Sequence, residues 1–405
     1  MDWTRKISSS LDKISEWSIY LIIFCLPFGK SIVEICIVTA LVSLVLKRML
    51  AKENIISEND QANMFLYLLL ATSLLSLINS QYLNLSIRAF FSKSLKFAAL
   101  FLAAREIINT RQKLNNFIIM ASISCVIILL DGFIQYFITH VDLLHSYTAF
   151  KYRADITGPS FPTASFPFQN DFAAWIIIFI FPVAAFALWA KTGLWNKMFL
   201  IALLAGLLYS LILTRVRGAW IGFLAALTFL SIIKLKKIGA VLIIGFILGA
   251  LFINREMTSA IFSIASDRQS MVKNGLEILK KHPIIGNGIN TFFVEYKEIR
   301  KDSDRGKRGS YAHNCFLQMA CDIGIIGLSF FLAFVAALLI KAFRSLKNIK
   351  DPLLYSLTLG LALGIIAFLL HSAVDTNLYS LPLAALFWLS AGILMAAVKM
   401  AEAGE

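Results

Sequence analysis

Charge is what this sequence has least of for its length. Only 15% of its 405 residues are Asp, Glu, Lys or Arg, against about a quarter in an average soluble domain. That shortage argues against a free-standing soluble enzyme. Metal-binding spacing is also lacking. The 5 cysteines (Cys25, Cys36, Cys125, Cys315 and Cys321) form no Cys-x-x-Cys or Cys/His pattern, which excludes a zinc module and a disulfide scaffold. The first three lie in apolar runs, where cysteine acts as a small hydrophobe. Cys315 and Cys321 stand at the head of one helical run, an awkward geometry for a bridge. No strand-like alternation is present, so a membrane β-barrel is excluded. The net charge of +14 comes without aromatic-interleaved basic motifs, which argues against a nucleic-acid partner.

What the chain has is apolar length. It is 59% hydrophobic, with mean hydropathy +0.76, in long blocks separated by short basic stretches. A helix needs about 20 mostly apolar residues to cross the hydrocarbon core. The expected fold is an all-α polytopic membrane protein. About twelve spans are read at 17–29, 31–46, 63–79, 86–104, 115–138, 172–190, 196–213, 217–233, 238–253, 316–340, 353–371 and 380–398. The first two are joined by a tight Pro27-Phe28-Gly29 re-entry, and the stretch before Trp17 reads as an amphipathic surface segment (Trp3, Ile7, Leu11, Ile14). Alternate connections carry the basic residues, including Lys47 and Arg48, Arg105 and Arg111, Lys234 to Lys237, and Lys341 to Lys350. By the positive-inside rule both termini are cytoplasmic. The chain then divides into helices 1–9 over 1–253, with an outer loop near 139–171, an outer helical subdomain over 254–315, and helices 10–12 over 316–405.

The outer face holds the residues with chemistry. Arg215 and Arg217 share a very short turn, where positive-inside bias disfavours arginine. They read either as interfacial, touching lipid headgroups, or as an anion site, since the guanidinium fork fits phosphate oxygens. His313 stands at a helix mouth, as a general base or as an interfacial structural residue. His371 and Asp375 are spaced to share a helix face, either orienting a polar site or satisfying each other at a helix end. Arg88, Lys93 and Lys96 lie in or near the fourth span, as added positive charge for a ligand or as snorkelling side chains. The outer subdomain contains an amphipathic helix from Met271 to Lys281, closed by His282-Pro283 and by Gly286 and Gly288. A charged stretch from Lys297 to Arg308 then reads as a lid or solvated loop.

Four segments carry a family resemblance: Phe168-Gln169-Asn170-Asp171-Phe172-Ala173-Ala174; Arg217-Gly218-Ala219-Trp220; Arg268 through His282-Pro283-Ile284-Ile285-Gly286-Asn287-Gly288 to Phe292; and His313-Asn314-Cys315-Phe316-Leu317-Gln318 with Asp322-Ile323-Gly324. Together, over roughly 170–394, they resemble the O-antigen ligase and polymerase superfamily, most closely a ligase. Val216 stands where the family usually has Ser, which leaves open whether Arg215 or Arg217 takes the family role. The resemblance implies a multi-pass protein of the bacterial inner membrane with its active site facing the periplasm. It implies glycosyl transfer from an undecaprenyl-diphosphate-linked glycan donor to an acceptor hydroxyl, commonly on lipid A-core. It further implies a metal-independent, inverting enzyme without a cofactor. The family roles fall on His313 and Arg268 as catalytic residues and on Arg215, Arg217 and Arg88 at the donor diphosphate. Asn170, Asn314, His371 and Asp375 are the supporting residues.

A polymerase and a protein O-oligosaccharyltransferase share these motifs and stay open as alternatives. A lipid or glycan transporter is the rival of another class. The sequence shows no half-to-half repeat and no evident midplane charges to favour it.

Overall fold

A computed structural model describes residues 2–52, 60–145, 161–253, 261–299 and 311–404. They form helices throughout, with no β-strand among the described residues. In chain order these are α1 (Asp2–Cys25), α2 (Lys30–Ala51), α3 (Gln61–Leu75), α4 (Leu83–Ala89), α5 (Lys96–Ile107), α6 (Arg111–Ile134), α7 (Gln169–Trp189), α8 (Leu194–Thr214), α9 (Arg217–Leu230), α10 (Lys237–Ile253), α11 (Ile261–Lys281), α12 (Phe292–Ile299), α13 (Cys315–Ser345), α14 (Pro352–Ser372) and α15 (Leu381–Ala403). A π-helical turn, Phe90–Leu95, joins α4 to α5.

Eight helical segments are long and apolar enough to cross a membrane: Gln61–Asn79, Arg111–Thr139, Gln169–Trp189, Leu194–Thr214, Arg217–Leu235, Cys315–Ser345, Pro352–Ser372 and Leu381–Ala403. Helices also occupy the other four expected spans. There, however, α1, α2 and the α4–α5 run are interrupted by charges such as Asp12, Glu34 and Lys93, and α10 has only 17 residues. Two local expectations are revised. The amphipathic N-terminal stretch is not a separate surface segment but the first part of α1, because no Pro or Gly interrupts 2–25. The helix expected from Met271 begins earlier, at Ile261.

Helix starts follow their capping residues. Asp351 accepts from the Leu353 and Leu354 amides at 2.9 and 2.8 Å, with Pro352 at the first position, where its missing N–H costs nothing. Asp60 caps α3 through the Asn63 amide at 2.8 Å.

The centre of the bundle is held by close glycine contacts rather than by differential apolarity, which lipid largely cancels. On α14, a methyl added at Gly360 would lie 2.4 Å from Pro182 Cα, and one at Gly364 would lie 2.7 Å from the Ile178 carbonyl of α7. On α9, Gly222 meets the Ala367 carbonyl of α14 at 2.3 Å in the same sense. These glycines let α7 and α9 approach α14 almost backbone to backbone, which fixes where the C-terminal end of α14 lies.

Candidate functional site

The first turns of α7, α9 and α13 and the last turn of α14 meet at one place, and the sequence explains how each is held there. Helix α13 is not continuous. At Gly324 the backbone turns to φ 74, ψ 174, which breaks the ladder within a spanning helix. The segment from Pro283 to Gly288 fills the break. The amides of Asn287 and Gly288 donate to the carbonyls of Cys321 and Asp322 at 2.9 and 3.0 Å. Beyond the break, the amides of Ile325 and Ile326 donate to Pro283 and Ile284 at 2.9 and 3.3 Å. A freed backbone group at this depth would otherwise cost several kcal/mol. Gly286 adopts φ +82, and a Cβ there would fall 2.4 Å from the Asp322 carbonyl. The Pro-x-x-Gly-x-Gly pattern is therefore a plug for a broken helix. A smaller apolar cluster of Met271, Ile278, Phe292, Tyr296, Ala312 and Cys321 packs α11 and α12 against it.

His313 stands just before α13 in a left-handed conformation, φ 46, which aims its ring away from the helix it precedes. Asn314 is the cap, accepting from the amides of Phe316 and Leu317 at 3.0 Å each. The His313 ring reaches the α14–α15 connection, with Nδ1 3.4 Å from Asp375 Oδ1. A carboxylate only accepts, so in this pairing Nδ1 carries the proton and Nε2 of the neutral ring is free to receive one.

Asp375 is nearly buried and saturated with donors. Oδ1 also accepts from the Thr376 amide at 2.8 Å, while Oδ2 accepts from Asn170 Nδ2 and lies 3.6 Å from His371 Nε2. Burial pushes the carboxyl up, but the hydrogen bond from His313 and the closeness of the His371 imidazole outweigh it and hold it well below the usual carboxylate range. Cys315 fastens the same segment, its Sγ donating to the Asp375 carbonyl at 3.1 Å and accepting from the Leu378 amide at 3.3 Å. His371 is fully buried, with no hydrogen bond to Nδ1 among the described residues. Gly218 packs against it, since a methyl there would lie 2.9 Å from the ring.

That contact brings the arginine turn into the site. Arg215 caps α8 at φ 54, with its guanidinium carbon 5.3 Å from the centre of the Phe161 ring, and Arg217 is the first residue of α9. Trp220 Nε1 donates to the Leu211 carbonyl at 3.0 Å and pins the turn. Both arginines are half-exposed, and neither has a carboxylate partner among the described residues. Val216 occupies the N-cap without a side-chain acceptor. A serine there would cap its own helix; valine leaves the first amides of α9 open toward an anion.

The remaining candidates separate. Arg88 is exposed on α4 and touches none of the cluster among the described residues. Arg268 lies on α11, but its side chain is outside the described residues. Lys93 does not snorkel. It turns inward from the π-helical turn, donating to Asn290 Oδ1 at 2.6 Å and lying 5.7 Å from the Tyr379 ring centre. Beside it Asp322, 3% exposed, accepts from Tyr379 Oη at 3.2 Å and from the Phe292 amide at 3.3 Å. The two line a cavity of about 100 Å³ walled by Leu66, Phe331 and Trp388. Charges inside the bundle are therefore present, contrary to the sequence expectation. The sequence singles out both positions but not their meeting, because the helix break and the π turn bring them together.

Residues 200–332 match the family model described as O-antigen ligase. The match supports the O-antigen ligase and polymerase superfamily for this chain. It covers the arginine turn, α11, the glycine plug, His313 and the break in α13. Asn170, His371 and Asp375 lie outside it and join the site only through the fold. No curated protein matches the chain.

Proposed function

We propose that this protein is a periplasmic-face glycosyltransferase of the inner membrane. It moves a glycan from an undecaprenyl-diphosphate donor to a hydroxyl of lipid A-core. The observation that carries this reading is one juxtaposition: a carboxylate-oriented histidine, His313 on Asp375, at the same bundle end as two arginines without carboxylate partners among the described residues. The family match supplies the reaction class.

In the proposed step the acceptor oxygen attacks the anomeric carbon as its proton passes to His313 Nε2. The bond from that carbon to the diphosphate oxygen breaks, and the departing oxygen keeps the electron pair. Arg215, Arg217 and the open α9 amides stabilise the charge that develops there, and Arg268 is assigned to the same task. Attack opposite the leaving group inverts the anomeric centre. Two guanidinium groups replace a divalent cation at the diphosphate, so the reaction needs no metal. Both termini are assigned to the cytoplasm and the twelve expected spans to the membrane.

The test replaces His313 with Ala in a strain lacking the native gene, checks membrane abundance, and examines polymer attached to lipid A-core. Loss of attached polymer with normal abundance is expected. Full attachment would overturn the reading. Polymer growth on the lipid carrier, or glycan on a protein hydroxyl, would reassign the same chemistry to a polymerase or a protein O-oligosaccharyltransferase.

A further inference from the structure

At the other end of the bundle, the last turns of α13 and α15 and the first turn of α3 enclose a cleft of about 600 Å³. Helix α13 links the two ends. Lys341 lies 17 residues past the break at Gly324, roughly 26 Å along the unbroken part of α13 at 1.5 Å per residue. The cleft is thus remote from His313.

Its charges are unevenly satisfied. Asp60 is fully engaged, Oδ1 by the Asn63 amide at 2.8 Å and Oδ2 by the buried Arg105 at 3.1 Å. Lys341 hangs between two carboxylates without a hydrogen bond to either, 3.8 Å from Asp60 and 3.7 Å from Glu402. Arg344 lines the same cleft and has no carboxylate partner among the described residues. With Asp60 matched by Arg105, two cations face one carboxylate among the described residues lining the cleft, which leaves one positive charge there for an anion. Its walls are graded along α13. Ala337 and Ile340 (49% exposed) lie toward the apolar side, and Lys341, Arg344 and Asn348 lie toward the helix ends. Positive-inside bias explains why basic residues follow α13, but not why two of them line a cleft at the apolar boundary.

We propose that this cleft binds the phosphodiester headgroup of a membrane phospholipid. Its phosphate sits between Lys341 and Arg344, and the start of its acyl chains lies along Ala337 and Ile340. Basic pockets between helix ends at this level suit such headgroups, and arginine with lysine grips phosphate through charge-assisted hydrogen bonds. The assignment does not depend on the reaction at the opposite face.

The test uses the full chain in mild detergent. It is mixed with vesicles of phosphatidylethanolamine and phosphatidylglycerol, or with phosphate-free diacylglycerol, and retained lipid is read by native mass spectrometry. One phospholipid per chain is expected. Retention should fall about tenfold in Arg344→Gln, the loss of one charge-assisted contact, and stay unchanged in Lys197→Gln, an exposed lysine at the start of α8. No retained phospholipid, equal retention of diacylglycerol, or unchanged retention in Arg344→Gln overturns the proposal. Glycerophosphate that displaces the lipid at equal concentration also overturns it, in favour of a soluble anion. If Arg344→Gln does not fold, the wild-type choice between phospholipid and diacylglycerol decides.

Discussion

Replacing Asp375 with Asn tests the centre of the proposed mechanism, because the shapes of the two side chains match and only the charge and two protons differ. Asp375 accepts on both oxygens, from His313 and Thr376 on Oδ1 and from Asn170 on Oδ2, with His371 alongside. An amide has one accepting oxygen, so in either orientation its NH₂ must face a donor. If the oxygen keeps Asn170, the NH₂ meets His313 Nδ1 and the ring loses its orientation. A charge-assisted hydrogen bond contributes about 1.5–3 kcal/mol. The 3.4 Å separation is long for one, so the lower end applies, which corresponds to roughly tenfold in rate. The misfacing donor adds to this, giving a fall of about 10- to 100-fold in kcat. The donor KM should hold, because the arginines are untouched. The assay is the initial rate of glycan transfer to isolated lipid A-core by purified protein. Wild-type kcat in Asp375→Asn, or a loss that lies wholly in donor KM, would refute the reasoning. The same carboxylate sets a stability window. Its folded pKa is depressed, so its contribution is present above the ordinary value of about 3.9 and is lost only as pH falls below that. The difference in melting temperature between wild type and Asp375→Asn should therefore persist from pH 8 to pH 5 and close only in stronger acid.

Other perturbations separate the remaining parts. Arg217→Ala should cost on the order of 10²–10³ in rate, and comparing it with Arg215→Ala in a kinetic assay shows which guanidinium meets the diphosphate; two silent variants would remove the anion site. Gly222→Ala puts a methyl 2.3 Å from the Ala367 carbonyl, where neither backbone can yield, so a loss of about 1–3 kcal/mol should appear as a lower melting temperature, with activity falling as His371 and Asp375 shift. Tyr379→Phe removes the hydroxyl that holds the Asp375 segment on Asp322; a hydrogen bond to a carboxylate, long at 3.2 Å and so near the lower end of about 1.5–3 kcal/mol, predicts roughly a tenfold fall in kcat with donor KM unchanged. Transfer measured in excess chelator should equal transfer without it, and dependence on added Mg²⁺ would contradict the arginine clamp.

Much of this architecture is written in local patterns. Apolar blocks of bilayer length place the helices, because a span satisfies its backbone within itself. His371 and Asp375 do lie 3.6 Å apart at one bundle end, but not on a shared helix face as expected, since α14 ends at Ser372 and Asp375 sits in the connection beyond it. What cannot be read locally is any contact made between distant segments. Asn170 meets Asp375 across 205 positions, and His313 meets it across 62. The break at Gly324 is not read from the sequence, because Asp322-Ile323-Gly324 sits inside one long apolar run and reads as part of a single span over 316–340. Only the plug from 283–288 makes a break tolerable there, and it arrives from another part of the chain. Lys93 illustrates the same limit, since a lysine near a helix end suits snorkelling equally well until a π turn rotates it inward.

Those nonlocal devices converge on one short segment. Residues 375–379 carry Asp375 to His313 at one end and Tyr379 to Asp322 at the other, with Cys315 bonded to both Asp375 and Leu378 between them. Asp322 is itself the last residue but one before the break in α13. The plug that repairs the break therefore also sets the height of Asp322, through Tyr379 the seat of the segment, and through Asp375 the orientation of the His313 ring. A disturbance in the glycine plug, such as Gly286→Ala with its methyl 2.4 Å from the Asp322 carbonyl, should reach the imidazole although residue 286 itself bonds no member of the His313 cluster. In this arrangement the glycine motif serves the chemistry by fixing the level at which a base is presented. Its loss should lower kcat while leaving the arginine turn, built on α8 and α9, able to hold the donor.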